Sequence, residues 1–265
     1  MRAAKAIRLL TLLPRRPVEF YDRVMTVLEL RSDNHRLKLP KRSTVSIAEA
    51  LRIALNITAD QVNDILAERW LREIEHEVLT AIVKETESGP FDVNHNGDFS
   101  LARAIYVICR VMSPDVVLET GVAYGVSSAF ALQALSVNHK GHLFSVDLPP
   151  LGANADQNVG ALIPAELKQR WRLHRGNVRR VLPQVINAIG QVDVFVHDSL
   201  HTYRNMTFEF QCVWPSLRRS GAIVADDVEL NEAFHDFGAQ KRIANSVLVR
   251  EDHKNAQFGI LVKPR

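Results

Sequence analysis

The sequence holds only two cysteines among 265 residues, Cys109 and Cys212, far apart and each inside an apolar helical pattern. That excludes a disulfide-stapled fold and points to buried thiols in a reducing compartment. Long apolar runs are missing too: none reaches the roughly 18 residues that a membrane-spanning helix needs. No internal repeat or low-complexity stretch is present. The fingerprint G-x-G-x-x-G is also lacking, which speaks against a nicotinamide-dependent oxidoreductase. The opening Met1–Leu13 pairs a basic start with an apolar stretch. Arg8 interrupts it, and Pro14-Arg15-Arg16-Pro17 lacks the small residues of a cleavage site, so no secretion signal is read. The expected location is the cytoplasm.

What is there is an uneven charge. Residues 1–42 hold eleven Lys/Arg against four Asp/Glu, whereas the whole chain carries a net charge of only +3. A basic, partly amphipathic start is compatible with peripheral contact with an acidic membrane, and a solvated or partner-facing arm is the plainer reading. Nucleic acid is not expected as a partner, because the basic segment has no interleaved aromatics or binding motif.

Two regimes meet near Gly89-Pro90, giving an expected helical extension over residues 1–90 and a second unit over 91–265. Before the change everything reads as helix. Val18, Tyr21, Val24, Met25 and Leu28 recur at helical spacing, Ser46 caps a short helix, and Thr58–Gln61 has capping-box spacing. From there one long amphipathic run passes through Val62, Ile65, Leu66, Trp70, Ile74, Val78, Leu79 and Ile82. Its expected jobs are packing, oligomerisation or shaping a substrate pocket. After the turn-rich 91–98 the pattern alternates between helices and seven short apolar strands, predicted at 116–119, 143–147, 171–174, 192–198, 222–226, 247–249 and 258–262. Strands separated by helices imply an α/β fold with a mostly parallel sheet covered on both faces.

Ligands of such sheets bind at the carboxyl ends of the strands, where the polar residues collect. The first strand runs into Glu119-Thr120-Gly121-Val122-Ala123-Tyr124-Gly125, and Ser127-Ser128 open the next helix. The glycines allow backbone N–H groups close to a ligand, and a helix N-terminus favours a carboxylate. An acid beside them suits a ligand that also carries an ammonium, as the methionyl half of S-adenosylmethionine does; a purely structural turn is the alternative. Asp147 ends the second strand, where a carboxylate can accept from both ribose hydroxyls or cap the next segment. Asn177, after the third, lies where an adenine would sit and serves equally as a helix cap. Finally, neighbouring strands bring Asp198, Asp226 and Asp227 to one edge. Carboxylates gathered without an Arg repel one another, and a hard divalent cation such as Mg²⁺ removes that cost. His201 is placed to take a proton from a substrate hydroxyl. Capping acids and a surface histidine are the bland alternative. His197 reads as structural.

At these residues, over roughly 97–262, the chain resembles class I S-adenosylmethionine-dependent O-methyltransferases. It is most similar to the macrocin O-methyltransferase group and more distantly to catechol O-methyltransferase. The resemblance implies a Rossmann-like methyltransferase sheet of seven strands with a helical N-terminal extension. It implies cofactor contacts from Glu119, Gly121, Val122, Ala123, Tyr124, Gly125, Ser127, Ser128, Asp147, Asn177 and Asp198. It also implies metal ligation by Asp198, Asp226 and Asp227. Asp227 departs from the catechol enzyme, which has Asn there, and His201 stands where that enzyme has its base lysine; a histidine is usual in the macrocin group. The implied reaction moves a methyl group from the cofactor to a hydroxyl of a sugar, a glycosylated natural product or a phenol, with Mg²⁺ or another hard divalent cation. A metal-independent or non-catalytic S-adenosylmethionine-binding protein is the alternative. The loop 148–163 is expected to act as a lid, and homo-oligomerisation is compatible with the N-terminal helices.

Overall fold

A computed structural model describes residues 9–33, 41–86, 99–152, 155–251 and 256–265. The proposed junction at Gly89-Pro90 and the loop 91–98 lie outside the described residues, as does the chain's start through Arg8. Seven strands form one sheet: β1 (Val116–Thr120), β2 (His142–Asp147), β3 (Trp171–Arg175), β4 (Val192–His197), β5 (Leu217–Ala225), β6 (Ser246–Arg250) and β7 (Gln257–Val262). Their order is β3-β2-β1-β4-β5-β7-β6, parallel through β5, with β7 antiparallel to both β5 and β6. The central strands β1 and β4 are buried on both sides because helices cover both faces, whereas the edge strand β3 is polar and largely exposed. Val117, Val194, Val196, Val224 and Ile260 point into one core layer, while Leu118, Phe195, Ile223 and Leu261 point into the other.

The first layer is built by α5 (Phe99–Met112) and α6 (Val126–Val137). The helices α2 (Ile47–Leu55), α3 (Ala59–Leu66) and α4 (Arg69–Thr86) pack into the same apolar cluster through Leu51, Val62, Leu71, Ile74 and Val78. Ser46 caps α2 by accepting from the Glu49 N–H, and Thr58 and Gln61 form the expected reciprocal capping box. The single long helix expected from Val62 to Ile82 is instead two, broken at Ala67. At the break Glu68 turns to accept from Tyr106 Oη and from Arg110, whose Nη2 lies 2.8 Å away. The break shifts the register, so Leu71 is buried and Trp70 and Leu79 face solvent. The second layer is α8 (Val178–Ile189), α9 (Tyr203–Val213) and α10 (Ala233–Gln240); α7 (Ala155–Asn158) is a single turn after β2.

The first helix, α1 (Pro17–Ser32), docks the opposite way from its apolar stripe. Glu19 and Asp22 are buried, whereas Val18, Tyr21, Met25 and Leu28 are 41–62% exposed. The inward acids meet arginines at the end of β3 and the start of α8. Arg175 Nη1 lies 2.9 Å from Glu19, Arg180 Nη2 2.7 Å from Asp22, and Arg179 Nε 3.0 Å from Glu29. With Arg23 beside it as well, Glu19 has its pKa pulled down to about 2, against the burial that would raise it. Among the described residues no helix is long and apolar enough to cross a membrane. Cys109 is buried and Cys212 half-buried, both as free thiols.

Candidate active site

The chain leaves β1 toward β2 on one side and later places β4 on the other, so a crevice opens between the ends of β1 and β4. Backbone bonds step across it. The Gly121 N–H donates to the Val146 carbonyl, the Asp198 N–H to Thr120, and the Asp226 N–H to His197, all at 2.8–2.9 Å. Gly121 has φ +82, and a Cβ on it would sit 1.9 Å from the Asp198 carbonyl oxygen. Only glycine permits that approach, which makes the Gly121 loop and the Asp198 loop two walls of one crevice.

The Asp147 carboxylate accepts from the Val122 and Ala123 N–H groups at 3.0 Å and so holds the 121–125 turn in place. Burial pushes its pKa up to about 6 despite those bonds. Gly125 donates back to the Val122 carbonyl, while Tyr124 is fully buried in the core. Glu119, expected to meet a ligand's ammonium, is 1% exposed and accepts from Ser127, Ser128 and Ser145 hydroxyls at 2.6–2.7 Å. It stands behind the turn and pins the start of α6 to β2. Burial raises its pKa to about 7, so it binds its proton more tightly folded than unfolded. Stability should therefore fall as pH rises from about 4.5 through about 7. In Glu119→Gln that loss disappears. Urea denaturation at pH 5 and pH 8 should show the variant gaining about 2–3 kcal/mol relative to the parent; a pH-independent difference would mean the buried carboxyl keeps no proton.

Asn177 caps α8 through its Oδ1, and its Nδ2 donates to Thr26 Oγ1 of α1 at 3.0 Å. The α1 helix thus lies over the edge where an adenine was expected, with Arg23 bonded to the Pro149 carbonyl and Glu29 accepting from Thr202. The 148–163 segment is not an open flap over its second half. Val159, Leu162 and Ile163 are buried, and the Gly160 and Leu162 N–H groups donate to Ala123 and Tyr124 carbonyls. Residues 153 and 154 lie outside the described residues.

On the other wall, Asp198, His201 and Asp226 offer one ligand atom each within 4.8 Å of one another. Asp227, the third expected metal ligand, is not in that group. It adopts φ +51, and its Oδ2 lies 2.9 Å from His201 Nδ1. A carboxylate there fixes the tautomer with Nδ1 protonated, leaving Nε2 facing the cluster, 3.6 Å from Asp198 Oδ1. The surrounding acids favour the charged form of His201. Burial pulls its pKa down, yet Asp198, Asp227 and Asp226 together hold it well above the ordinary histidine value. Asp226 is held well above the carboxylate range by burial and by Asp198, and its buried Oδ1 has no hydrogen-bond partner. An orphaned carboxylate oxygen among O and N donors fits a hard divalent cation.

Beneath the cluster is a buried network that was not anticipated. Glu209 of α9, fully buried, accepts from Thr120, His197 Nδ1, Ser199 and Asn205 at 2.5–2.7 Å. Burial would raise its pKa, but His197 and the hydroxyls bring it below the ordinary value. A signal for it existed: Glu209 shares the inward helical positions of Met206, Phe210 and Val213.

Residues 118–228 match a family described as a methyltransferase domain. The fold is shared with solved methyltransferases of low identity. One is the O-methyltransferase TomG of tomaymycin synthesis from Streptomyces achromogenes, in complex with S-adenosylmethionine. It is 16% identical, with 75% of this chain and 91% of that chain covered and a TM-score of 0.53. Another is the O-methyltransferase from Bacillus cereus in complex with S-adenosylhomocysteine, 15% identical over 79% and 100% of the two chains, TM-score 0.53. A third is the methyltransferase PaMTH1 from Podospora anserina, bound to S-adenosylhomocysteine, 13% identical over 85% and 100%, TM-score 0.51. No curated protein sequence matches. The match covers residues 118–228, and the chain shares the seven-stranded fold of these enzymes.

Proposed function

We propose that this chain transfers a methyl group from S-adenosylmethionine to a hydroxyl oxygen of a small molecule such as a sugar, a glycosylated natural product or a phenol. The observation that carries the reading is the shared wall between Gly121 and Asp198, which sets a cofactor turn directly against an acid–histidine cluster. The turn at 121–125 is held by Asp147 through its own N–H groups, and the N-terminus of α6 that follows it favours the carboxylate of the cofactor. Asp198 and Asp226 are the carboxylates suited to holding Mg²⁺ or another hard divalent cation. Such a cation, when bound, acidifies a hydroxyl beside it. His201 Nε2 takes the hydroxyl proton while Asp227 holds the Nδ1 side. Positioning of the acceptor oxygen in line with the donor sulfur supplies much of the remaining rate.

The test is calorimetric titration followed by turnover. S-Adenosylmethionine should bind and NAD should not, and methyl transfer should appear on a panel of vicinal diols and phenols. Because His201 and Asp226 are both shifted toward their protonated forms, Mg²⁺ or Mn²⁺ binding should be accompanied by proton release. Titration in buffers of different ionisation enthalpy measures that release. Binding without proton release would remove the cluster from the metal site, and NAD binding in place of S-adenosylmethionine would overturn the reaction class.

A further inference from the structure

Helix α1 is amphipathic, yet its charged side is the buried one. Glu19, Asp22 and Glu29 face the arginines at the end of β3 and the start of α8, so the outward side is left apolar. Val18, Tyr21, Met25 and Leu28 form this strip, and all are 41–62% exposed. Leu10 and Leu13, which precede the helix, are 61% and 50% exposed. Water gains nothing from such a surface, and contiguous exposed apolar patches mark contact sites.

We infer that this strip docks on an anionic membrane surface. Charge selects that occupant. Residues 1–42 carry eleven basic and four acidic side chains, and three of the acids, Glu19, Asp22 and Glu29, are turned inward and paired. Arg15, Arg16 and Arg31 are exposed at the two ends of the strip, Arg31 one turn beyond Leu28. Apolar side chains bordered by arginines match the acyl boundary and headgroups of an acidic leaflet. Tyr21 at the centre is a side chain that favours the interface, with an apolar ring and a polar tip. A second copy fits less well. It would bring like charges together, and a helix about 24 Å long and about 10 Å wide offers a footprint well short of the roughly 800 Å² per partner of a stable interface. Docked this way, α1 would lie between the lipid surface and the loops it covers, with Pro149, Asn177 and Thr202 on its inner side.

The full-length chain should co-sediment with phosphatidylcholine vesicles containing phosphatidylglycerol and should not with phosphatidylcholine alone. Added salt should weaken the binding. The triple variant Tyr21→Glu, Met25→Glu, Leu28→Glu should lose affinity tenfold or more while its circular dichroism and melting stay unchanged, since all three side chains point outward. Should the triple variant unfold, Arg15→Glu and Arg31→Glu give the second readout, each weakening binding about fivefold. Failure to bind anionic vesicles, or binding indifferent to these substitutions, overturns the inference. So does a dimer seen by light scattering that the triple variant abolishes, because the strip would then belong to a second copy.

Discussion

His201→Ala should lower turnover by about 10²-fold or more while leaving S-adenosylmethionine affinity nearly unchanged. His201 Nε2 lies 3.6 Å from Asp198 Oδ1 and has no hydrogen-bond partner, whereas Nδ1 is held by Asp227 at 2.9 Å. If His201 is the base, truncation removes that function. Cation affinity separates the two roles the cluster allows. If His201 moves the proton, the Ala variant still binds Mn²⁺ through Asp198 and Asp226; if it ligates the ion, affinity and turnover fall together. Asp227→Asn should lie between the parent and the Ala variant, because the amide can still meet the ring but no longer favours its charged form. Removing His201 also leaves three carboxylates without their internal cation, so the variant should melt lower in chelator and recover with the ion present. Turnover unchanged in His201→Ala would take the histidine out of the reaction.

The second large effect is expected at Gly121. A methyl group there would overlap the Asp198 carbonyl at 1.9 Å, and the φ of +82 strains any L side chain. Overpacking and strain together cost about 2–5 kcal/mol, which corresponds to a fall in melting temperature of roughly 5–15 °C. The chemical consequence matters more. Backbone must give way because neither partner is a flexible side chain tip. Relieving the clash moves Asp198 away from His201 and Asp226, so cofactor and cation affinity should be lost in the same variant. Gly152→Ala is the control, since a Cβ there meets nothing within 4 Å. Calorimetry with S-adenosylmethionine and Mn²⁺ on both variants checks this, and a Gly121→Ala protein that bound either ligand normally would show the two walls to be independent.

The strands and their acidic ends were legible because a parallel strand buried on both faces is a short run of Val, Ile, Leu and Phe that stops where polarity is needed. Val192–His197 and Asp198 show the rule directly. The break between α3 and α4 was not legible, since no glycine or proline marks it. It is made by Glu68 reaching Tyr106 and Arg110, 38 and 42 residues away. Periodicity likewise drew the stripe on α1 but could not say which side docks, because the arginines that decide it lie 150 or more residues later. In the site, sequence placed three acids at one edge. It could not separate Asp226 from Asp227, adjacent residues that a left-handed turn sends to different tasks. Position before the glycines marks Glu119 as a candidate ligand contact; its partners inside the fold, the Ser127, Ser128 and Ser145 hydroxyls, are not visible from that position alone.

The network around Glu209 has a consequence for how such a protein can change over generations. Thr120, His197, Ser199 and Asn205 all satisfy one buried carboxylate, and losing any of them strands the rest in a medium that penalises an unmet charge. Single replacements are therefore disfavoured, while a concerted exchange for apolar residues of similar volume is tolerable. These five positions should drift as a block: fixed together in some lineages, replaced together in others, and seldom found half-altered.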